Sequence, residues 1–184
     1  MRNIFKILLT TIIISLSYAH THGQEGGGFD RSNLVTGGNL SLQFGNYTVI
    51  DVSPILGYRF TDKIMAGVGG IYQYYSYKDP NFSAFNFQTD IYGGKLFGRY
   101  YFLDFLFAHG EYELLSLETE YFDPLNMRHT GKRFNVHSVL VGAGYAQLVG
   151  RNSAIYLMVL YNLNETVDTP YSNPVFRIGF DIGL

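Results

Sequence analysis

The chain of 184 residues contains no cysteine and no tryptophan, and only 15% of its residues are charged. Without cysteine there is no disulfide framework, no thiolate metal site and no lipid-modified N-terminal cysteine. Thirteen Lys and Arg against 15 Asp and Glu leave a net charge of -2. With no basic run, nothing provides an electrostatic footprint for nucleic acid. Past residue 20 no apolar run approaches the roughly 18–20 residues of a spanning helix, so any membrane span here is made of strands. What is abundant is 16 Tyr, 15 Phe and 21 Gly, a mixture that suits aromatic girdles and closely packed strands.

The opening MRNIFKILLTTIIISLSYA combines Arg2 and Lys6, an apolar run from Ile4 to Leu16, and small Ser17 and Ala19 where a signal peptidase cuts. These features predict a cleavable export signal over 1–19, a flexible lead-in over 20–33 and one domain over 34–184.

The domain is organised around 92–118. Alternate residues there put Lys95, Arg99, His109, Glu111 and Glu113 on one face. The other face takes Tyr92, Leu96, Tyr100, Phe102, Leu106, Ala108, Tyr112 and Leu114, because successive strand side chains point to opposite sides. Each arm reaches the roughly 9–11 residues that cross a bilayer at a tilt. A three-residue loop 103–105 pairing Phe102 with Leu106 sets Lys95 opposite Glu113 and Arg99 opposite His109, with Glu111 diagonal to both cations. A slip by two sets Lys95 opposite Glu111. Either register lets a cation meet a carboxylate, as enclosed charges require.

The same alternation predicts strands at 34–44, 47–60, 64–77, 134–148, 153–163 and 174–184. Asn39, Ser41, Gln43, Asp51, Ser53, Gly57, Arg59, Gly67, Gly69 and Gln73 are assigned inward, and Ile155, Leu157, Val159 and Tyr161 outward. Alternation alone leaves the facing of 134–148 open, between Gly142 and Gly144 inside, the favoured arrangement, and Val139, Val141 and Tyr145 inside. Links are short at 61–63, 103–105 and 149–152 and longer at 78–88, 119–133 and 164–173, with Gly45-Asn46 as the exception. This asymmetry predicts an all-β, eight-stranded antiparallel up-and-down transmembrane barrel with both termini periplasmic. The fold-level rival is a soluble barrel with its apolar face inward.

In the final strand Phe176, Ile178, Phe180, Ile182 and Leu184 alternate with Arg177, Gly179, Asp181 and Gly183. PVFRIGFDIGL resembles the C-terminal strand recognised by the outer-membrane assembly machinery. VSPILGYRFTDKIMAGVGGIYQY and FGRYYF are similar to strands of the small OmpA- and OmpX-like β-barrel family. The resemblance covers nearly all of the mature chain as a repeated style, with two departures: Leu184 stands where such proteins usually end in Phe, and Tyr and Phe must form both girdles without Trp. It implies the outer membrane of a Gram-negative bacterium, lipid around the wall, and the assembly machinery as a partner during biogenesis.

The inward charges balance: Asp51, Glu111, Glu113 and Asp181 against Arg59, Lys95, Arg99 and Arg177. An eight-stranded barrel is about wide enough to be filled by its own side chains, so these groups, with His109, are expected to form a paired plug. The expected role is that of a structural or surface-interaction protein. Phe82, Phe85, Phe87, Tyr121, Phe122, Met127 and Arg128 are loop residues that either meet an envelope or extracellular protein or pack on the rim. One alternative is a lipid-modifying hydrolase or acyltransferase using His109, Glu111, Glu113, His137 and Ser138, against which His137 and Ser138 point to opposite faces. The other is a narrow porin-like channel. No catalytic, cofactor or metal residue is assigned; Lys95 and Arg99 beside the carboxylates would repel a metal ion.

Overall fold

A strand with one apolar and one charged face leaves its backbone groups unpaired along both edges, and a sheet removes its edges only by closing on itself. This chain does so. The computed structural model describes residues 30–44, 47–79, 86–122, 131–150 and 152–184, and Ser32–Leu184 forms one unit. Its strands are β1 (Leu34–Gln43), β2 (Tyr47–Arg59), β3 (Ile64–Tyr77), β4 (Phe87–Leu103), β5 (Leu106–Glu118), β6 (Arg133–Leu148), β7 (Ser153–Asn162) and β8 (Val175–Gly183). Each pairs antiparallel with the next, and β1 pairs with β8, giving a closed eight-stranded up-and-down barrel. The predicted export signal, the lead-in through residue 29 and the Gly45-Asn46 turn lie outside the described residues.

The expected strand positions hold to within a residue except at one place. β4 starts at Phe87, five residues before the expected hairpin begins, so it runs for 17 residues. Its pairing with β3 continues to Tyr77↔Phe87, beyond the point where alternation in the sequence fades. The long link after β5 opens with one helical turn, α1 (Thr119–Phe122).

The central hairpin adopts the first expected register, with Lys95 opposite Glu113 and Arg99 opposite His109. Its turn corrects the expectation. Phe102 does not pair with Leu106; the register shifts between Tyr101 and Leu103, Leu103 pairs with Leu106, and Asp104-Phe105 make the turn. A bulge inserts one residue into one strand only, so the inward set below it keeps its partners.

The polarity of the barrel is inverted relative to a water-soluble one. Leu96 (59% exposed), Ile178 (52%) and Phe180 (50%) face out, while Lys95 (4%), Arg99 (3%) and Glu113 (0%) are inside. The soluble rival, with its apolar face inward, is contradicted. The interior is not purely polar, however. Phe97 joins Val35, Ile55 and Met65 in one apolar cluster, and Phe107, Ile91, Leu115, Leu117 and Leu140 belong to another. The charges sit among these apolar groups.

Inward glycines make room for the large rings. A Cβ at Gly67 would stand 2.8 Å from Phe97 Cζ, and one at Gly144 would collide with the Phe107 ring. The inward assignment of Gly142 and Gly144 therefore holds, for a steric reason. Gly144→Val is expected to cost about 1–3 kcal/mol by overpacking, measured by urea unfolding of the barrel in micelles. Gly98→Val, where nothing lies within 4 Å of the added carbon, should stay within about 0.5 kcal/mol of the parent.

Candidate functional site

The enclosed charges are the candidate site. β8 supplies Arg177, β5 supplies His109, Glu111 and Glu113 at alternate positions, and β4 supplies Lys95 and Arg99 four residues apart. Period-two geometry puts all six inside the barrel.

Arg177 connects two carboxylates. Its Nη1 pairs with Glu111 and its Nη2 reaches Glu113 Oε1 at 2.7 Å. Glu111 also takes Lys95 Nζ at 3.4 Å and His109 Nε2 at 3.1 Å. Lys95 is thus paired with the diagonal residue Glu111 and not with Glu113 directly opposite, whose two oxygens are taken by Arg177 and the Tyr171 hydroxyl. Lys95 further donates to Asn39 Oδ1 at 3.2 Å.

Arg99 bonds both across the hairpin and beyond it. Its Nη1 meets Asp181 Oδ2 at 2.6 Å, and its Nε donates to His109 Nδ1 at 3.2 Å. Since Nδ1 accepts, the imidazole proton sits on Nε2 and is donated to Glu111. Glu111, opposite Phe97, lies diagonal to both cations as expected; of the two it pairs with Lys95, whereas Arg99 goes to Asp181. The Arg99 guanidinium also lies over the Tyr156 ring, with Cζ 4.1 Å from the centroid, and near Phe107 at 5.0 Å. Aromatic faces replace water around the cation.

Two of the expected network members behave differently from the rest. Asp51 is buried but held by hydroxyl and amide groups, Ser53 Oγ at 2.6 Å and Gln73 Nε2 at 2.7 Å. Arg59, near the end of β2, is only half-buried. The charge balance inferred from sequence therefore counts one cation that is not deep inside.

Several partners carry no signal in the sequence. Tyr171, in the link before β8, turns inward and donates its hydroxyl to Glu113 Oε2 at 2.7 Å. Burial, and then the Glu113 carboxylate, push its phenol above the usual range, so it stays protonated and serves as a donor. Tyr156 is hidden in an otherwise apolar strand. Alternation places its side chain inside, but nothing in the sequence indicates that Arg99 stacks on it.

Ser138 sits opposite Glu113 in the β5–β6 register and is fully buried, accepting from Asn162 Nδ2 at 3.3 Å. His137 points outward and pairs with the Tyr112 hydroxyl. His137 and Ser138 are thus on opposite sides of the wall. Among the described residues no group of three or more His, Asp, Glu or Cys could hold a metal ion.

At the long-link end of the barrel, Phe87 stacks on Tyr121 at 4.9 Å and Phe122 packs edge-on to Tyr75 at 5.2 Å. Tyr47 lies parallel to Tyr75 at 6.1 Å. Phe87, Tyr121 and Phe122 are half-buried in this cluster, while Phe82, Phe85, Met127 and Arg128 lie outside the described residues. The outward stripe of β8 (Phe176, Ile178, Phe180 and Ile182), with Leu184 just beyond it, is exposed as expected.

No protein-family model matches this chain, and no curated protein does. Among solved structures it is similar to a de novo designed transmembrane β-barrel, at 11% identity and a TM-score of 0.42, covering 86% of this chain and 100% of the design. It is also similar to the N-terminal β-barrel domain of Pseudomonas aeruginosa OprF, at 15% identity and a TM-score of 0.39, covering 82% of this chain and 95% of that one. At such scores these likenesses add nothing to the closed eight-stranded topology described above.

Breaking one ion pair should be costly. Arg99→Met leaves Asp181 buried without its cation and is expected to destabilise the barrel by about 3–5 kcal/mol. Adding Asp181→Leu should restore most of that loss. Urea unfolding of the single and double variants in micelles checks both values.

Proposed function

We propose that this chain is an integral outer-membrane protein of a Gram-negative cell, a closed barrel with a side-chain-filled, ion-paired interior that serves as a rigid scaffold for its loops. The inversion of polarity carries this reading. Exposed Leu, Ile, Val, Phe and Tyr on all eight strands make an apolar surface far beyond the few hundred Å² that soluble monomers expose. Lipid is the solvent that fits it, and strands of 9 to 17 residues are long enough to cross at a tilt. Closure supports it too, since lipid offers no partner to an unpaired strand edge.

Both termini of the barrel lie at the end with the short links, and the longer links lie at the other. In an outer-membrane barrel that end faces the periplasm. The outward apolar stripe of β8 supports recognition by the assembly machinery. The aromatic cluster of Tyr47, Tyr75, Phe87, Tyr121 and Phe122 stiffens the long-link end, where an envelope or extracellular protein partner would dock. Paired charges and inward rings favour a plug over a channel. The carboxylates of β5 are engaged by Arg177, Lys95 and Tyr171, which favours a structural role over lipid-modifying chemistry.

Cells expressing the protein should release it with the detergent-extracted envelope, and recovery as a soluble periplasmic monomer would overturn the membrane assignment. In planar bilayers the purified barrel should give no stable, large conductance. Such a conductance would replace the plug with an open lumen.

A further inference from the structure

β6 has 16 residues and its neighbour β7 has 10. Their ladder runs from Leu148↔Ala154 to Leu140↔Asn162 and ends there. Just beyond it, Leu163 N donates to the Val139 carbonyl at 2.8 Å. The Asn164 side chain then stands in for one more peptide group. Its Oδ1 accepts from Val139 N at 2.6 Å, and its Nδ2 donates to the His137 carbonyl at 2.9 Å. On its other side β6 keeps β5 as a partner throughout, from Leu114↔His137 to Glu118↔Arg133.

The contacts of Val139 fix which groups face the open side. Main-chain groups of successive residues point to opposite neighbours, so those of Arg133, Asn135 and His137 point the same way as those of Val139. Lys132, in the even-numbered set, agrees, since its carbonyl turns to β5 and accepts from Thr119 N at 3.2 Å. Among the described residues, the N–H groups of Arg133, Asn135 and His137 and the C=O groups of Arg133 and Asn135 therefore have no partner. Nor do the nearest side chains cover them. The Arg133 guanidinium is turned towards β5, on Ser116 Oγ at 3.1 Å and Glu118 Oε1 at 3.0 Å. His137 leans onto the Tyr112 hydroxyl, also on β5. Asn135 and His137 are exposed.

Resting on the membrane reading, this edge stands in water. Roughly 9–11 residues cross a bilayer at a tilt, and β6, entering at Leu148, has used them by Ser138. Donors and acceptors free at every second residue specify one kind of ligand, another extended chain.

We infer that the 133–137 edge of β6 receives a strand of a partner protein by sheet addition, on the side that β7 leaves open. Phe134 and Val136 carry the apolar cluster up the inner side of this edge, and Arg133, Asn135 and His137 line the outer side. The matching strand has apolar residues at alternate positions, with polar or acidic residues between them. A second copy of this chain does not fit. In one membrane its β6 runs in the same direction, and a two-fold axis along the membrane normal sets each N–H against the N–H of the same residue.

Site-resolved amide exchange of the full chain in bicelles tests the edge, with a soluble peptide alternating valine with threonine and glutamate as the probe. In the free chain the Asn135 and His137 amides should exchange rapidly, and those of Phe134 and Val136, bonded to β5, slowly. With peptide about tenfold above its Kd, the Asn135 and His137 amides should slow about tenfold. A peptide methylated at every amide nitrogen should cause no slowing. The unmodified peptide should likewise leave His137 unprotected in Asn135→Pro, a change the β5 ladder tolerates because the N–H of residue 135 takes no part in it. Slow exchange of Asn135 and His137 in the free chain overturns the open edge. Absence of slowing at millimolar peptide overturns strand addition, as does equal slowing by the methylated peptide or in Asn135→Pro. A lipid nitroxide in the same bicelles separates this inference from the membrane reading. Broadening at Leu96 and Ile178 with Asn135 unaffected supports both, broadening that includes Asn135 puts the edge in lipid and overturns the inference alone, and no broadening at Leu96 or Ile178 removes the membrane reading.

Discussion

Arg177 places its two Nη atoms on two different carboxylates, Glu111 and Glu113, in a space with almost no access to water, and the arrangement of the lumen follows from keeping that contact satisfied. Lys95 and His109 complete the shell of Glu111, and Tyr171 completes that of Glu113. Enclosed charges are tolerated only when both partners are present and their remaining lone pairs and protons are used. The barrel meets that demand by drawing groups from β1, β4, β5, β8 and the link before β8 to one level.

Buried ion pairs are weak evidence for stability, since an apolar replacement of equal volume often does as well. Their value here is better sought in alignment. Every strand has the choice of two faces and many registers, and a one-residue slip would turn Glu111 and Glu113 toward the apolar exterior. A slip by two would separate Arg177 from its carboxylates. The network thus penalises wrong registers more than it rewards the right one, a useful property for a closed sheet in which one error propagates around the wall.

Around this charged middle the interior is apolar and aromatic. Phe97 and Phe107 fill the space left by Gly67 and Gly144, and Tyr156 lies under Arg99. At the far end Tyr47, Tyr75, Phe87, Tyr121 and Phe122 pack on one another as a cluster of rings. The same economy of glycine works differently outside. At Gly38 the missing side chain opens a groove in the wall, because the strand neighbours there are Phe180 and flat Pro54.

Alternation was sufficient to assign faces in every strand except β6. Lys95, Arg99, Glu111 and Glu113 fall on one side and Leu96, Tyr100 and Tyr112 on the other whatever their partners are, because side-chain direction is a local property of extended backbone. Strand count and the order of short and longer links were legible for the same reason, and the central register was narrowed to two, of which the structure adopts the one with Lys95 opposite Glu113. Partnership was not. That Arg99 reaches Asp181 and not Glu111, that Tyr171 turns into the lumen, that Asp51 relies on Ser53 and Gln73, and that β1 and β8 meet over so short a ladder all depend on groups far apart in the chain. Only closure of the barrel brings these groups within hydrogen-bonding distance, and periodicity in a single strand carries no information about what stands across the lumen.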